Sequence, residues 1–228
     1  DKAFQQVGLK EVIFPNKIKI IGLAAFQRNE LEDVILPDSV TSIGGGAFAS
    51  NPALKSISLP HNDSYTVVEE GAFGCSDMKN WMTNLTSIEI PDTITEIKDN
   101  AFAGNNFETI EIPESVTTIG RFAFSTKNYL QTPTTLILHE GLETIGSRAF
   151  RNKKIENVVL PTTLKSLPEN TFMKVDTNWE GDGHAVNNPL ITRVFVTTEE
   201  QYSDKEKFPD SEWHKIYLGD PKKWTSED

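Results

Sequence analysis

Few side chains in this 228-residue chain are of the types, and at the spacings, that chemistry requires. Glu89 and Glu111 are one candidate pair: two carboxylates support glycoside hydrolysis when held about 5 to 9 Å apart with one of them kept protonated. Gly181-Asp182-Gly183-His184 sets an acid beside an imidazole. One His and one Asp fall short of the three or four ligands of a zinc site, and such glycines mark turns, so a structural loop is expected. Cys75 is the single cysteine, which excludes an intrachain disulfide and a cysteine zinc cage. Two residues past Phe73, it reads as a small hydrophobe beside the core. His61, His139 and His214 have no His partner four residues away. No Gly-x-Ser-x-Gly elbow and no phosphate-cradling glycine loop occurs. The remaining candidates are aromatic. Trp81, Tyr129 and Trp179 belong to types that anchor protein interfaces and stack on sugars.

Composition narrows what can hold these residues. The chain carries 22 Lys and Arg against 33 Asp and Glu, a net charge of −11. A general nucleic-acid binder needs a basic face to displace counterions, so that class is excluded. Apolar residues make up 37%, with 13 Phe and 4 Trp, which is enough for a packed core and too aromatic for a disordered chain. No run of about 18 apolar residues occurs, so no segment reads as a membrane span.

The scaffold is a repeat. Phe4, Phe26, Phe48, Phe73, Phe102, Phe124, Phe150 and Phe172 are separated by 22, 22, 25, 29, 22, 26 and 22 residues. Ala precedes each of them except the last, where Thr171 stands. Pro15, Pro37, Pro60, Pro91, Pro113 and Pro161 keep step, with His139 in place of one proline. Each unit holds two apolar runs. The first, Leu-x-x-Ile-x-Leu-Pro, occurs as Leu31, Val34, Leu36 and again as Leu85, Ile88, Ile90 and Phe107, Ile110, Ile112. It alternates near the proline and reads as a short strand that the proline closes. The second, Val-x-x-Ile-Gly, occurs at Val40 to Gly44 and Val116 to Gly120, and its glycine turns the chain into the segment bearing the Phe. A unit this small cannot bury its own apolar face, so neighbours stack with strands about 4.8 Å apart.

The expectation is a β-rich solenoid of about eight coils with parallel short strands, the eighth strand formed by Ile191, Val194 and Val196. It occupies residues 1–197. Residues 198–228, with Tyr202, Phe208, Trp213, Ile216, Tyr217 and Trp224, form a C-terminal cap over the raw edge that a solenoid otherwise exposes. The chain opens inside a repeat at Asp1-Lys2-Ala3-Phe4. Further sequence, including any secretion signal, is therefore expected upstream.

Stacking assigns positions to the candidate residues. The stretch from Phe to the next strand-closing position lengthens after Phe73, Phe124 and Phe172. These excursions leave the same corner of alternate coils and should share one edge, where insertions commonly build a binding face. Trp81, Tyr129 and Trp179 lie one in each. The competing reading is that each ring plugs its own loop. Two residues before the proline position, the exposed strand series reads Ile13, Ile35, Ser58, Glu89, Glu111, Ile137, Val159, Phe195. Glu89 and Glu111 become neighbours on adjacent strands, where solvated carboxylates splay apart. A polar centre between apolar ends outweighs a hydrolytic pair.

The recurring Leu-x-x-Ile-x-Leu-Pro-x-x-Val-x-x-Ile-Gly-x-x-Ala-Phe resembles the BspA-type (Treponema pallidum) leucine-rich repeat over residues 1 to about 197. The resemblance implies a right-handed, curved solenoid of surface or secreted bacterial proteins, with adhesion as the commonest assigned role. It implies no shared catalytic residues, and the residues themselves lead to the expectation of no cofactor and no metal. The replacement of proline by His139 and Thr197, and the survival of the family's frequent cysteine only as Cys75, leave that fold intact.

The function expected is a non-enzymatic recognition or adhesion module, extracellular or at the cell surface. It would bind a host or bacterial surface protein, or a glycan, through Trp81, Tyr129 and Trp179 on the loop edge and Glu89 and Glu111 on the concave strand face. Two rivals remain: a carbohydrate-active β-helix enzyme, which needs Asp, Arg or Lys clustered at one level of adjoining coils, and a structural spacer displaying another domain.

Overall fold

The computed structural model describes residues 1–74, 85–126, 132–176, 184–185, 192–211 and 214–219. The chain is a parallel β-solenoid in which each coil contributes to three stacked rows. The apolar run ahead of the proline forms the first row. Asp33–Ile35 pairs in parallel with Ser56–Ser58, and Thr109–Ile112 pairs with Thr135–Leu138. Asn157–Val159 pairs with Thr192–Val196. The Val-x-x-Ile-Gly run forms the second row: Ile20–Ile21 beside Ser42–Ile43, then a four-stranded ladder of Val67–Val68, Glu96–Ile97, Thr118–Ile119 and Thr144–Ile145.

Turns carrying Ala-Phe make the third row, and here the motif explains itself. The Phe26 N–H donates to the Ala47 carbonyl at 2.8 Å, Phe48 to Ala72, Phe102 to Ala123 and Phe124 to Ala149 at the same distance. Each Ala is thus the acceptor for the preceding coil's Phe, and its methyl is buried against the next turn. The rings stack face to face from Phe4 to Phe172, with centroids 5.3 to 5.9 Å apart. Offset aromatic stacks of this spacing add to the area that they bury. Glycine of the Ile-Gly pair is required by proximity. A Cβ on Gly120 would lie 2.5 Å from the Asp99 backbone nitrogen, and one on Gly146 equally close to that of Arg121.

A fourth regularity goes beyond the Ala-Phe and proline markers. Asn29, Asn51 and Asn105 each lie three residues after a stacked Phe and are buried. Their amides donate to the carbonyls of two successive phenylalanines: Asn51 to Phe26 and Phe48, Asn105 to Phe73 and Phe102. Turns leave backbone carbonyls without ladder partners, and buried carbonyls must find donors. The asparagine row supplies them. At the corresponding place after Phe150, Lys153 is buried, and its Nζ donates to the Asn105 carbonyl at 2.6 Å.

Two findings differ from the strand count expected of the repeat. Residues 11–14 and 85–90 form no strand although both fit the motif. A further strand, His214–Leu218, continues the ladder by pairing in parallel with Thr192–Val196. It follows a one-turn helix, Glu199–Ser203, which Thr198 caps by accepting from the Gln201 N–H. His214 ends the ring stack, edge-on to Phe172 at 5.7 Å. Its Nε2–H donates to the Pro209 carbonyl and its Nδ1 faces the Ser211 hydroxyl, each at 3.0 Å. Phe195, expected on the exposed strand face, is buried and stacks on Tyr217. The added strand covers it.

Candidate functional site

The first row is where the candidate carboxylates sit. In Thr109–Ile112 the burial alternates, with Ile110 and Ile112 inward and Glu111 outward. Glu89 is outward too, between partly buried Ile88 and buried Ile90. The exposed column then runs from Ile13 and Ile35, both largely exposed, through Ser58, Glu89 and Glu111 to Ile137 and Val159, which are about one-third exposed. Apolar ends flank an acidic middle, as the spacing of the repeat implies.

At that middle the row opens. The 85–90 segment is held to the next coil only at its start, where Asn106 N–H donates to the Leu85 carbonyl and Glu108 N–H to the Thr86 carbonyl, each at 3.0 Å. From Ile88 to Ile90 no ladder joins it to either neighbour. Two outward carboxylates in adjoining coils repel, although residues 11–14, where the outward residues are Ile13 and, one coil on, Ile35, form no strand either. An open groove of about 700 Å³ lies here, with Ile88, Ile90 and Pro113 as its apolar lining and Glu89, Asp92, Glu111 and Glu114 as its acids.

Two histidines complete it. His139, standing in the proline position, meets the Glu111 carboxylate at 3.0 Å, and His61 lies 3.8 Å from Glu89. Each imidazole comes from the coil on the outer side of its carboxylate, so the four groups make a symmetrical sequence across the coils: His61, Glu89, Glu111, His139. These partners were not evident one residue at a time, because each His is isolated along the chain. They appear when coils are aligned and neighbouring columns are read together.

What this arrangement offers a ligand is exposed charge. Side chains of Glu89 and Glu111 are 87% and 60% exposed, and a general acid needs an apolar enclosure that these positions lack. Among the described residues, no three His, Cys, Asp or Glu side chains gather to hold a metal ion. Trp81, Tyr129, Trp179, Cys75 and Gly181–Gly183 lie outside the described residues. His184 falls on a two-residue strand whose backbone pairs antiparallel with Val175–Asp176.

A solenoid with ladders of short parallel strands, an asparagine row and an open strand face defines a leucine-rich-repeat scaffold. The particular class follows from comparison: a BspA type leucine-rich repeat region, in six copies, matches residues 1–83 and 80–178. The chain belongs to that family. Solved structures similar to it include a leucine-rich repeat protein from Bacteroides ovatus, 20% identical over 93% of this chain and 72% of that one, with a TM-score of 0.40. Another is the pneumococcal vaccine antigen PcpA, 16% identical over 96% and 76%, with a TM-score of 0.38. A third is a leucine-rich cell surface protein from Faecalibacterium prausnitzii, 18% identical over 91% and 71%, with a TM-score of 0.33. No curated protein sequence matches. Among the described residues, no helix is long and apolar enough to cross a membrane.

Proposed function

We propose that the chain is a non-enzymatic recognition module of a surface or secreted protein. Its partner is a protein or glycan of a host or bacterial surface. It engages that partner through the strand face, centred on Glu89 and Glu111, together with the loop edge carrying Trp81, Tyr129 and Trp179. The observation that carries the reading is the interruption of the strand row at Ile88–Ile90. Here a stretch of the strand row without a ladder borders apolar walls and four carboxylates that stand open to a ligand. A ligand with cationic groups and an apolar body is complementary to that lining.

The test is a combined glycan and peptide array probed with labelled protein, with three variants run beside it. Glu89→Gln with Glu111→Gln should erase the wild-type spots that carry cationic groups. Replacing Trp81, Tyr129 and Trp179 together by Ala should weaken the same spots. Lys55→Gln with Lys165→Gln, remote from the groove, should leave them unchanged. An identical spot pattern for all four proteins would reject the face and the edge as the site.

A further inference from the structure

The turns that carry the ring stack also present an edge to solvent, and most of the chain's arginines gather there. The chain has five arginines, and three of them, Arg121, Arg148 and Arg151, lie in the turns of two adjoining coils. Arg121 and Phe122 precede the stacked Phe124, while Arg148 and Arg151 bracket the stacked Phe150. Backbone bonds hold the two turns together: the Phe122 N–H donates to the Ser147 carbonyl at 3.2 Å and the Thr126 N–H to the Arg151 carbonyl at 3.0 Å.

Phe122 is not one of the stacked core rings. It has a φ of 56°, a left-handed conformation that non-glycine residues rarely adopt, and its side chain is half-buried at the surface. Two guanidinium groups lie over it, that of Arg121 at 5.9 Å from the ring centroid and that of Arg148 at 5.5 Å. A ring face offsets part of a cation's charge but accepts no hydrogen bond in the plane of the guanidinium fork. Phe122 therefore gathers two forks without satisfying them. Arg151 adds a third positive charge, and burial together with the nearby Arg148 holds its guanidinium below the usual pKa.

Three lysines of the solenoid are matched across coils, whereas Lys17, Lys19, Lys154 and Arg193 make no ion pair among the described residues. Lys55 pairs with Glu32 and Lys98 with Glu69, each at 2.8 Å, and Lys165 pairs with Glu143. Among the described residues, Arg121, Arg148 and Arg151 make no ion pair with a carboxylate. The Nε of Arg148 is shielded from water and has no acceptor. Two acids share the neighbouring turns. Asp99 is engaged by the Arg121 backbone N–H at 2.7 Å, and Glu169 stands exposed one coil beyond Arg148. On a chain of net charge −11, a cluster of like charges without partners is a feature that a ligand would resolve.

We propose that Arg121, Arg148 and Arg151 form a site for tetrahedral oxyanion esters, sulfate or phosphate, borne on a sugar chain. Three forks from two coils present more donors than the two oxygens of a carboxylate accept, whereas an ester of this type offers three terminal oxygens. The part of Phe122 left uncovered by the cations gives a sugar ring an apolar surface. The overall negative charge repels diffuse anions, so affinity must come from these contacts. This surface is separate from the acidic groove and would serve a partner of opposite charge.

Dextran sulfate, dextran phosphate, carboxymethyl dextran and neutral dextran share one backbone and differ only in the group tested. Binding of the whole chain to each is measured by biolayer interferometry at about 0.15 M salt. Wild type should hold the sulfate or the phosphate form, and the preferred one identifies the ester. It should hold neither the neutral nor the carboxymethyl form comparably. Arg121→Gln, Arg148→Gln and Arg151→Gln combined should weaken binding by at least about tenfold. Removing the same charge elsewhere, with Lys10→Gln, Lys55→Gln and Lys165→Gln, should change it by less than about twofold. Arg121→Gln alone, at an exposed residue whose side chain lies over the Phe122 ring, should weaken binding while leaving the melting temperature unchanged. The proposal is overturned if wild type binds neither ester, if it binds carboxymethyl dextran equally, or if the lysine set weakens binding as much as the arginine set.

Discussion

The turn row and the strand row are built from the same coils, yet only one is continuous. Seven consecutive ring pairs from Phe4 to Phe172 keep nearly constant spacing. The strand row falls into separate ladders, with no strand at residues 11–14 or at Ile88–Ile90 and no ladder between Thr135–Leu138 and Asn157–Val159. The turn row is locked because every coil inserts the same large ring, the same small Ala and, in several coils, the same carbonyl-binding Asn into a closed interior. A one-residue slip there would misplace all three at once. On the strand row half of each strand faces water, so its outward residues are free of that constraint. Variation that the interior forbids is tolerated outside, which is where a recognition surface can differ from coil to coil.

The largest expected effect breaks the continuous row. Phe102 is fully buried between Phe73 and Phe124. Phe102→Ala should cost about 3 to 5 kcal/mol, from lost burial and the cavity left behind. Phe4, at the open end and 48% exposed, should cost roughly 1 kcal/mol on the same change. Urea denaturation of the two variants measures the difference. Equal losses would mean that the stack does not carry the solenoid's stability.

Lys153 sharpens the same contrast by pH. It occupies the asparagine row, bonded to the Asn105 carbonyl and with its ammonium 5.4 Å from the Phe107 ring centroid. Burial pushes its pKa down from 10.5 to about 7. Between those values the unfolded chain binds more protons than the folded one, so stability rises with pH across the window. The slope from this group is at most about 1.4 kcal/mol per pH unit. Lys153→Met should remove that rise, as read from denaturation midpoints at the two ends of the window.

His214, which closes the ring stack, titrates with the same sense at lower pH. Burial pushes its pKa down from 6.5 to about 4, against the weaker opposing pull of the Pro209 carbonyl and Asp210. The folded imidazole stays neutral while the unfolded one takes up a proton. Stability from this group is therefore complete above 6.5 and is lost as pH falls towards 4, roughly 3 kcal/mol in all. His214→Phe should flatten this part of the acid limb, and an NMR titration of the wild-type imidazole gives the folded pKa directly. A ring that titrated near 6.5 in the folded chain would show that the end of the stack is wet.

How much of this was legible follows the same division. Ala-Phe repeats because interior packing demands it and Pro because it closes the run of the first row, so the solenoid, its register and its family could be read from the chain. The outward placement of Glu89 and Glu111 followed from that register. The break at Ile88–Ile90 could not be read, because Leu85, Ile88 and Ile90 satisfy the motif and the missing ladder depends on neighbours in other coils. His61 and His139 were hidden for a related reason, since their partners lie a whole coil away. The strand His214–Leu218 carries neither the Phe nor the Pro marker and follows a helix, so only its alternation of His214, Ile216 and Leu218 betrays it. The asparagine row was legible in Asn29, Asn51 and Asn105, three residues after Phe, but emerges only once the Phe carbonyls are seen to need donors.

The smallest effects belong to the strand face and decide whether it is free of structural duty. Glu111 and His139 form a solvent-exposed pair, and such pairs contribute between nothing and about 1 kcal/mol. Glu89→Gln and Glu111→Gln should each shift stability by no more than about 0.5 kcal/mol. Hydrogen exchange should separate the segments as well. The Ile88 and Ile90 amides, outside any ladder, should exchange faster than that of Ile110, whose strand remains paired to Thr135–Leu138. Relieving the repulsion with Glu89→Thr and Glu111→Thr removes the main electrostatic obstacle to pairing across the gap, and should slow exchange at Ile88 and Ile90 towards the rate at Ile110. If those amides are already slow in wild type, the row is closed in solution and the groove loses its physical basis. If they stay fast in the Thr variant, the carboxylates are not what holds the row open.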